Sequence, residues 1–325
     1  MPKSQPGMRE IGDTGRTKVL ATRRSYGARH ISHTRNRRTH ERPAMKLLVL
    51  GCGNAGLEVA SRAKARGWEV VATTTRDSRI AEIEQVADKG LVVRGADVEA
   101  VKAAAQGCDA ILVSVSPPIM QSRTVEEREQ SYGDVLVASC QSSVQALPRV
   151  VFMSSISVYA DGLQSSSDVI DEQTPRANSE EPSTVYYSLA EDAVLSSPGG
   201  TVLRLADIYG HPRDIDFTAR VKLAHEHMGG SVSFAADGRL HRIHVEDVAD
   251  ALLYVLDNNL TGAYNCVPDI APSPTNKETF DRLADAAGLG HLEFRGELKT
   301  PMKQVSSKKL RDAGFVFKHP DDVIV

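Results

Sequence analysis

Residues 47–60 read LLVLGCGNAGLEVA, and they constrain the fold more tightly than any other stretch of the chain. An apolar run ends at Leu50, and Gly51, Gly53 and Gly56 follow at G-x-G-x-x-G spacing, with Asn54 and Ala55 between the second and third glycines. A helical pattern begins at once. The backbone must therefore leave a buried strand, reverse and enter a helix within a few residues. Gly51 allows the tight turn, Gly53 lets the backbone approach a ligand closely, and Gly56 lets helix pack on strand. Unpaired N–H groups at the positive end of that helix attract an anion, and the pyrophosphate of a dinucleotide is the anion this spacing suits.

The pattern after this turn sets the fold class. Strands are expected at 46–50, 68–73, 91–93, 110–114, 150–153 and 201–205. Helices are expected at 54–66, 80–87, 98–106 and 124–145, with another near 188–196. Strands separated by helical segments of this length indicate parallel βαβ units. The runs LLVL, AILVSV and VVFM are almost continuously apolar, as parallel strands covered on both faces are. The expected fold is a Rossmann-type doubly wound parallel α/β sheet over residues 45–208, followed by a smaller mixed α/β substrate lobe over 209–325. In that lobe Thr275 and Glu278 have capping-box spacing, and Gly288 is placed to stop the helix they open.

Charge separates the first 44 residues from the rest. They hold eleven Lys/Arg against three Asp/Glu, leaving 28 against 39 in residues 45–325. An acidic body argues against nucleic acid as the main partner, since phosphate binding needs a cationic face. The arm lacks apolar periodicity and is expected to be disordered. It has three readings: an organelle transit segment, a basic binding tail, or an extension upstream of a true start at Met45, where MKLLVLGCG opens directly into a strand. No apolar run is long enough for a membrane helix. Cys52, Cys108, Cys140 and Cys266 are scattered without metal-like spacing, which suggests a reducing compartment. A cytoplasmic location is expected, or an organelle if the arm is a transit segment.

The second strand bears on the choice of cofactor. An NAD site would carry an acidic residue at its end to hold the ribose 2′-OH. Here the strand runs into VVATTTRDS, with Thr74 at that point and Arg76 close behind. Hydroxyl residues beside an arginine suit a 2′-phosphate and favour NADP. Asp77, 21 residues beyond Gly56, keeps NAD open.

Several later motifs together resemble the short-chain dehydrogenase/reductase superfamily, in its extended or atypical NAD-dependent epimerase/dehydratase-like branch, and within it the YeeZ-like bacterial proteins. VVRGADVEA is similar to the family's third-strand exit, where the resemblance places Asp97 and Val98 at the adenine. AILVSVSPP is similar to the fourth-strand edge and implies that Ser114 and Ser116 line the cofactor cleft. FMSSISVYA matches the family's SSxSVYG segment and puts Ser155 at the catalytic Ser/Thr position. LRLADIYGHP, RIHVEDVADALL and SSKKLRDAGFVF resemble further family segments, so the likeness covers most of residues 45–318. It implies an oxidoreductase or epimerase acting on a polar small molecule, sugar nucleotide-like or carbonyl-bearing. It also implies a homodimer formed through the helices near 124–145 and 188–197.

The family's proton transfer uses a Tyr-x-x-x-Lys pair, in which the lysine lowers the tyrosine pKa. No such pair exists in this chain. In STVYYSLAED, Tyr186 is followed four residues later by Ala190 and Tyr187 by Glu191, and no Lys or Arg lies between Arg176 and Arg204. If Glu191 is aligned with the family's glutamate beyond its lysine, Tyr187 takes the lysine position and Ser183 the tyrosine position. Ser155, Tyr186 and Tyr187 are the candidate catalytic residues. A non-catalytic NAD(P)-binding sensor is the competing reading.

The remaining candidates carry less. His244 can reach the cleft edge or serve at a helix entry. Arg204 can anchor a substrate or form a structural ion pair, and Arg239 and Arg242 can meet an anionic substrate. No residue cluster has metal-ligand spacing, and the GxSxG elbow is absent. Protein beginning at Met45 is expected to fold and bind cofactor as the full chain does. Loss of binding in calorimetric titration would give the arm a function.

Overall fold

The computed structural model describes residues 45–118, 124–160, 166–269, 272–298 and 300–319; the basic arm lies outside them. Among the described residues thirteen strands run in chain order: β1 Lys46–Leu50, β2 Glu69–Thr74, β3 Lys89–Val92, β4 Ala110–Val113, β5 Val150–Ser155, β6 Val169–Ile170, β7 Thr201–Leu205, β8 Asp207–Tyr209, β9 Ser231–Phe234, β10 Arg242–His244, β11 Gly262–Cys266, β12 Glu293–Leu298 and β13 Gln304–Val305. The helices are α1 Asn54–Ala65, α2 Ile80–Ile83, α3 Val98–Ala104, α4 Val125–Ser131, α5 Ala138–Ala146, α6 Pro182–Leu195, α7 Phe217–His227, α8 Val245–Asp257, α9 Asn276–Ala287 and α10 Lys308–Asp312.

Seven strands form one sheet in the order β11-β7-β5-β4-β1-β2-β3, and every pairing in it is parallel. Its connections diverge from β1 and β4, so the crevice beyond their carboxyl ends is where a doubly wound sheet binds ligands. Alternate side chains of single strands enter different cores. Leu47 and Val49 pack with α1 and α8, whereas Leu48 and Leu50 pack with α3, α5 and α6. This two-sided burial is why the strands read as unbroken apolar runs. A third cluster, built on Phe217, Val221, Phe280 and Leu283, joins α7 to α9. Around it lie the short parallel pairs β8–β10 and β9–β12.

Three helices depart from the expected bounds. The segment expected as helix over 80–87 is helical only to Ile83, after a 3₁₀ turn at Asp77–Arg79. The long helix over 124–145 is interrupted by a π-helical stretch, Tyr132–Val137, between α4 and α5. Helix α6 starts at Pro182, six residues before the sequence expectation, because proline needs no N–H donor in the first turn. That longer α6 brings Ser183 onto the helix. The capping box at Thr275 and Glu278 is formed, and Gly288 closes α9 at φ +66°.

A buried polar network joins four of these elements. Glu191 of α6 is fully buried and receives hydrogen bonds from Arg204 of β7 through Nε (2.9 Å) and Nη2 (2.7 Å). It also accepts from Ser154 Oγ of β5 at 2.7 Å. Arg204 Nη1 donates to the Tyr159 hydroxyl at 2.7 Å, and that hydroxyl donates to Asn265 Oδ1 of β11 at 2.8 Å. Of the two sequence readings of Arg204, the ion pair is the one formed. Breaking such a pair on one side strands a charge in low dielectric. Glu191→Ala is therefore expected to cost about 3–5 kcal/mol in chemical denaturation, while Glu191→Met with Arg204→Met costs much less. Equal losses in the single and double variants would count against this account.

Candidate cofactor and substrate cleft

A cleft of about 780 Å³ opens at the carboxyl ends of β1, β4, β5 and β7. One end is bounded by Gly53, Asn54, Ala55 and Gly56 at the start of α1, facing Ser114 and Ser116. Gly51 adopts φ +88°, and a Cβ there would lie 2.9 Å from the Val115 backbone, so only glycine fits. A Cβ on Gly56 would crowd the Gly51 carbonyl at 3.1 Å and Ser114 Oγ at 3.2 Å. Gly53 meets nothing within 4 Å, which leaves its backbone open to a ligand. Helix α1 has no side-chain cap and no acid in its first turn. Its free N–H groups suit a pyrophosphate.

The glycine turn is held from both sides. Thr73 Oγ1 accepts from the Gly51 N–H at 2.9 Å, and Ser114 Oγ donates to the Gly51 carbonyl at 2.8 Å. The Thr74 hydroxyl accepts instead from the Arg76 N–H at 3.2 Å. Arg76 and Asp77 are exposed at the end of β2. Arg79, three residues beyond Arg76, donates Nη1 to the Cys52 carbonyl inside the turn at 2.9 Å. Neither Thr73 nor Arg79 is among the residues expected from sequence: Thr73 lies within VVATTTRDS, and Arg79 is the residue that follows it. Asp97 caps α3 by accepting from the Ala100 N–H at 3.0 Å, and Val98 opens that helix. Gly51, Thr74, Arg76, Asp97 and Val98 lie outside the residues that line the cleft.

Residues 51–197 match the family model described as NAD(P)H-binding. The chain carries an NAD(P)H-binding domain. Protein YeeZ of Escherichia coli K12 is 27% identical over 296 residues, 86% of this chain and 98% of that protein. Two solved structures share the fold. The Bordetella bronchiseptica enzyme WbmH in complex with NAD+ has a TM-score of 0.66 at 20% identity, covering 85% of this chain and 94% of its own. The UDP-glucose 4-epimerase of Thermus thermophilus, complexed with NAD, has a TM-score of 0.64 at 21% identity, covering 84% and 94%. The expected likeness to YeeZ-like proteins thus runs along most of the chain, and the expected Rossmann-type sheet is the fold shared with these two NAD-bound structures.

The middle of the cleft holds the catalytic candidates of this NAD(P)H-binding chain. Ser155 lies at the end of β5, and its Oγ accepts from the Ser157 N–H at 3.1 Å. Ser155, Ser183 and Tyr187 line the cleft, whereas Tyr186 does not. Tyr186 stacks on Tyr132 at 6.1 Å between centroids. The helix face presented to the cleft is thus the one bearing residues 183 and 187. Burial, with Tyr132 and Cys140 adding to it, pushes the Tyr187 hydroxyl well above the ordinary tyrosine value. Tyr132 and Arg128, on the facing helix, also line the cleft and were not singled out from the sequence. Their four-residue spacing was the available signal.

The far wall comes from the C-terminal part of the chain. Arg239 and His241 line it, but Arg242 is buried against the rings of Tyr209 and Phe217 instead. His244 takes the helix-entry role: its Nδ1 accepts from the Glu246 N–H at 3.2 Å, capping α8. His244, Glu246 and His319 bring ligand-type atoms within 4.8 Å of one another. The two imidazoles stack at 4.0 Å, so their in-plane lone pairs do not converge, and Arg62 holds Glu246 at 2.8 Å. The trio is a cap and ion-pair cluster.

His241 is 2% exposed, and its Nε2 accepts from the Val305 N–H at 3.0 Å. Burial, opposed in part by the Arg239 carbonyl and aided by the Arg239 charge, pushes its pKa from 6.5 down to about 4. A ring that resists protonation only when folded contributes stability that is complete above pH 6.5. That contribution is lost as the pH falls through 4 and amounts to roughly 3 kcal/mol. Denaturation at pH 7.5, 5.5 and 4 should show this extra acid loss in the wild type and not in His241→Gln. Parallel pH profiles would exclude it.

Proposed function

We propose that this protein is an NAD(P)-dependent oxidoreductase or epimerase acting on a polar small molecule, with residues 45–208 holding the cofactor and 209–325 forming a substrate lobe. The observation that carries this reading is that Ser155 and Tyr187 line the same cleft as the glycine turn. Arg76, exposed just beyond the end of β2, supports NADP over NAD, because a 2′-phosphate needs a cationic partner there. When bound, the nicotinamide would supply hydride transfer.

The chain's own residues would orient the substrate oxygen and hydrogen-bond it. Ser155 Oγ positions that oxygen. Tyr187 remains protonated, since burial disfavours its anion and no lysine among the described residues acts on it. It therefore serves as a hydrogen-bond donor to a developing alkoxide rather than as a base. Ser183, one turn earlier on the same face, is the second hydroxyl in reach of the cleft. Tyr186, turned onto Tyr132, is assigned packing.

The same raised Tyr187 favours a second reading, in which the chain binds NAD(P) as a sensor and has lost turnover. Calorimetric titration with NADPH and NADH followed by absorbance screening at 340 nm against sugar nucleotides and carbonyl compounds separates the two. The enzyme reading expects turnover that falls at least tenfold in both Tyr187→Phe and Ser155→Ala, with cofactor affinity kept within about threefold. Tight NADPH binding with no turnover across the panel supports the sensor, and no binding of either dinucleotide would falsify both.

A further inference from the structure

The wall of the cleft opposite the glycine turn is built to hold its donors still. The N–H of Arg239 donates to the Pro301 carbonyl at 2.9 Å, and that of Leu240 to the Pro274 carbonyl at 2.8 Å. The Asn276 N–H donates to the Gly238 carbonyl at 2.8 Å. Val305, in β13, fixes the His241 ring from behind. Three separate segments, 235–241, the start of α9 and 300–305, are thereby joined into one surface.

That surface has polar valences its own protein partners leave open. Val305 N–H bonded to Nε2 leaves the proton of neutral His241 on Nδ1. Nδ1 makes no hydrogen bond of good geometry, with only the Arg239 carbonyl near it, the buried Thr300 Oγ1 has no partner among the described residues, and both residues line the cleft. Protonating Nε2 would break the Val305 bond, so the ring stays a neutral donor. Arg239 is partly buried in the same wall. It gives Nη1 to the Ser273 carbonyl at 2.7 Å and forms no direct ion pair among the described residues, the capping-box Glu278 acting on its charge only from a distance. The neighbouring Arg220 is already paired with Asp207 at 2.7 Å. A half-buried guanidinium without a counter-ion is costly, and a ligand anion relieves that cost.

We propose that Arg239, His241 and Thr300 form a substrate subsite for a singly charged carboxylate. The wall offers one unspent positive charge and one fixed neutral donor, with a hydroxyl beside them. A carboxylate matches this with one negative charge and acceptor-only oxygens. A phosphate monoester dianion would bring a second charge to a wall backed by Phe217, Phe234 and Phe280, where the only other arginine among the described residues of that wall, Arg220, is already spent on Asp207; Arg128 lines the cleft from α4 instead. Resting on the reading above, this narrows the substrate to an acid whose carbonyl or hydroxyl reaches Ser155 while its carboxylate is held at Arg239.

Three sugars that differ at one carbon test the charge argument: D-glucuronate, D-glucose and D-glucose 6-phosphate. Each is titrated into NADPH-loaded protein carrying ¹⁵N-histidine and followed by NMR. Glucuronate is expected to shift the Nδ1–H signal of His241, identified by its loss in His241→Phe, and to bind at least tenfold tighter than either other sugar. Arg239→Leu should weaken glucuronate at least tenfold and leave NADPH affinity unchanged, and it remains informative if His241→Phe does not fold. Glucose 6-phosphate binding as tightly as glucuronate would overturn the proposal. So would an unmoved His241 signal, or glucuronate affinity that survives Arg239→Leu. Should the protein bind no NADPH, the reading of the cleft as a redox site fails. The same titrations on the ligand-free chain still decide the carboxylate subsite.

Discussion

The arrangement of the cleft depends on one buried ion pair, Glu191 with Arg204. Glu191 projects from α6 and Arg204 from β7, so their bidentate contact fixes the rotation of the helix against the sheet. Ser154 joins Glu191 from β5, and Ser154 is the residue before Ser155. The pair therefore sets two distances at once, that of the α6 side chains from the cleft and that of the β5 terminus. Tyr159 extends the network to Asn265 on the edge strand β11. A fully satisfied buried network of this kind selects one arrangement because every shifted one leaves a polar group unpaired.

That rotation explains the unusual chemistry of α6. With Glu191 turned inward toward β7, Tyr187, one turn earlier, falls on the cleft face, and Ser183 one turn before that. Tyr186 is carried about 100° away and packs on Tyr132. The cleft face of α6 thus carries a serine and a tyrosine. Among the described residues no cation lowers the Tyr187 pKa, and burial raises it. The consequence is a site rich in hydroxyl donors and poor in bases. Arg128 and Tyr132 enter the cleft from α4, at the point where the helix widens into a π-helical stretch, a local irregularity often found at functional sites.

The two ends of the cleft differ in the source of their binding power. At the glycine turn it is backbone: free N–H groups of α1, an open Gly53, and a loop braced by Thr73 and Ser114. At the opposite wall it is side chains, with Arg239 and His241 held by hydrogen bonds to segments more than thirty residues away in sequence. A backbone site tolerates varied sequence around its glycines. A side-chain site changes with each substitution, and that end is where substrate selectivity would reside.

The sequence by itself determined the parallel sheet, the glycine turn and the helix caps. Each of these follows from local rules: apolar runs for strands buried on two faces, glycine where a Cβ does not fit, and Thr275 with Glu278 at a helix start. It also exposed the missing lysine, since that absence is a matter of spacing. Tertiary structure alone decided which tyrosine faces the cleft, that Arg204 is an internal partner, and that Thr73 and Arg79 brace the turn. It also picked Arg239 over Arg242 and gave His241 a fixed proton. These outcomes depend on contacts between residues far apart in the chain, where a shift of one residue on a helix or strand reverses inside and outside. No local pattern encodes that choice; the packing of α6 and the C-terminal segments against the sheet makes it.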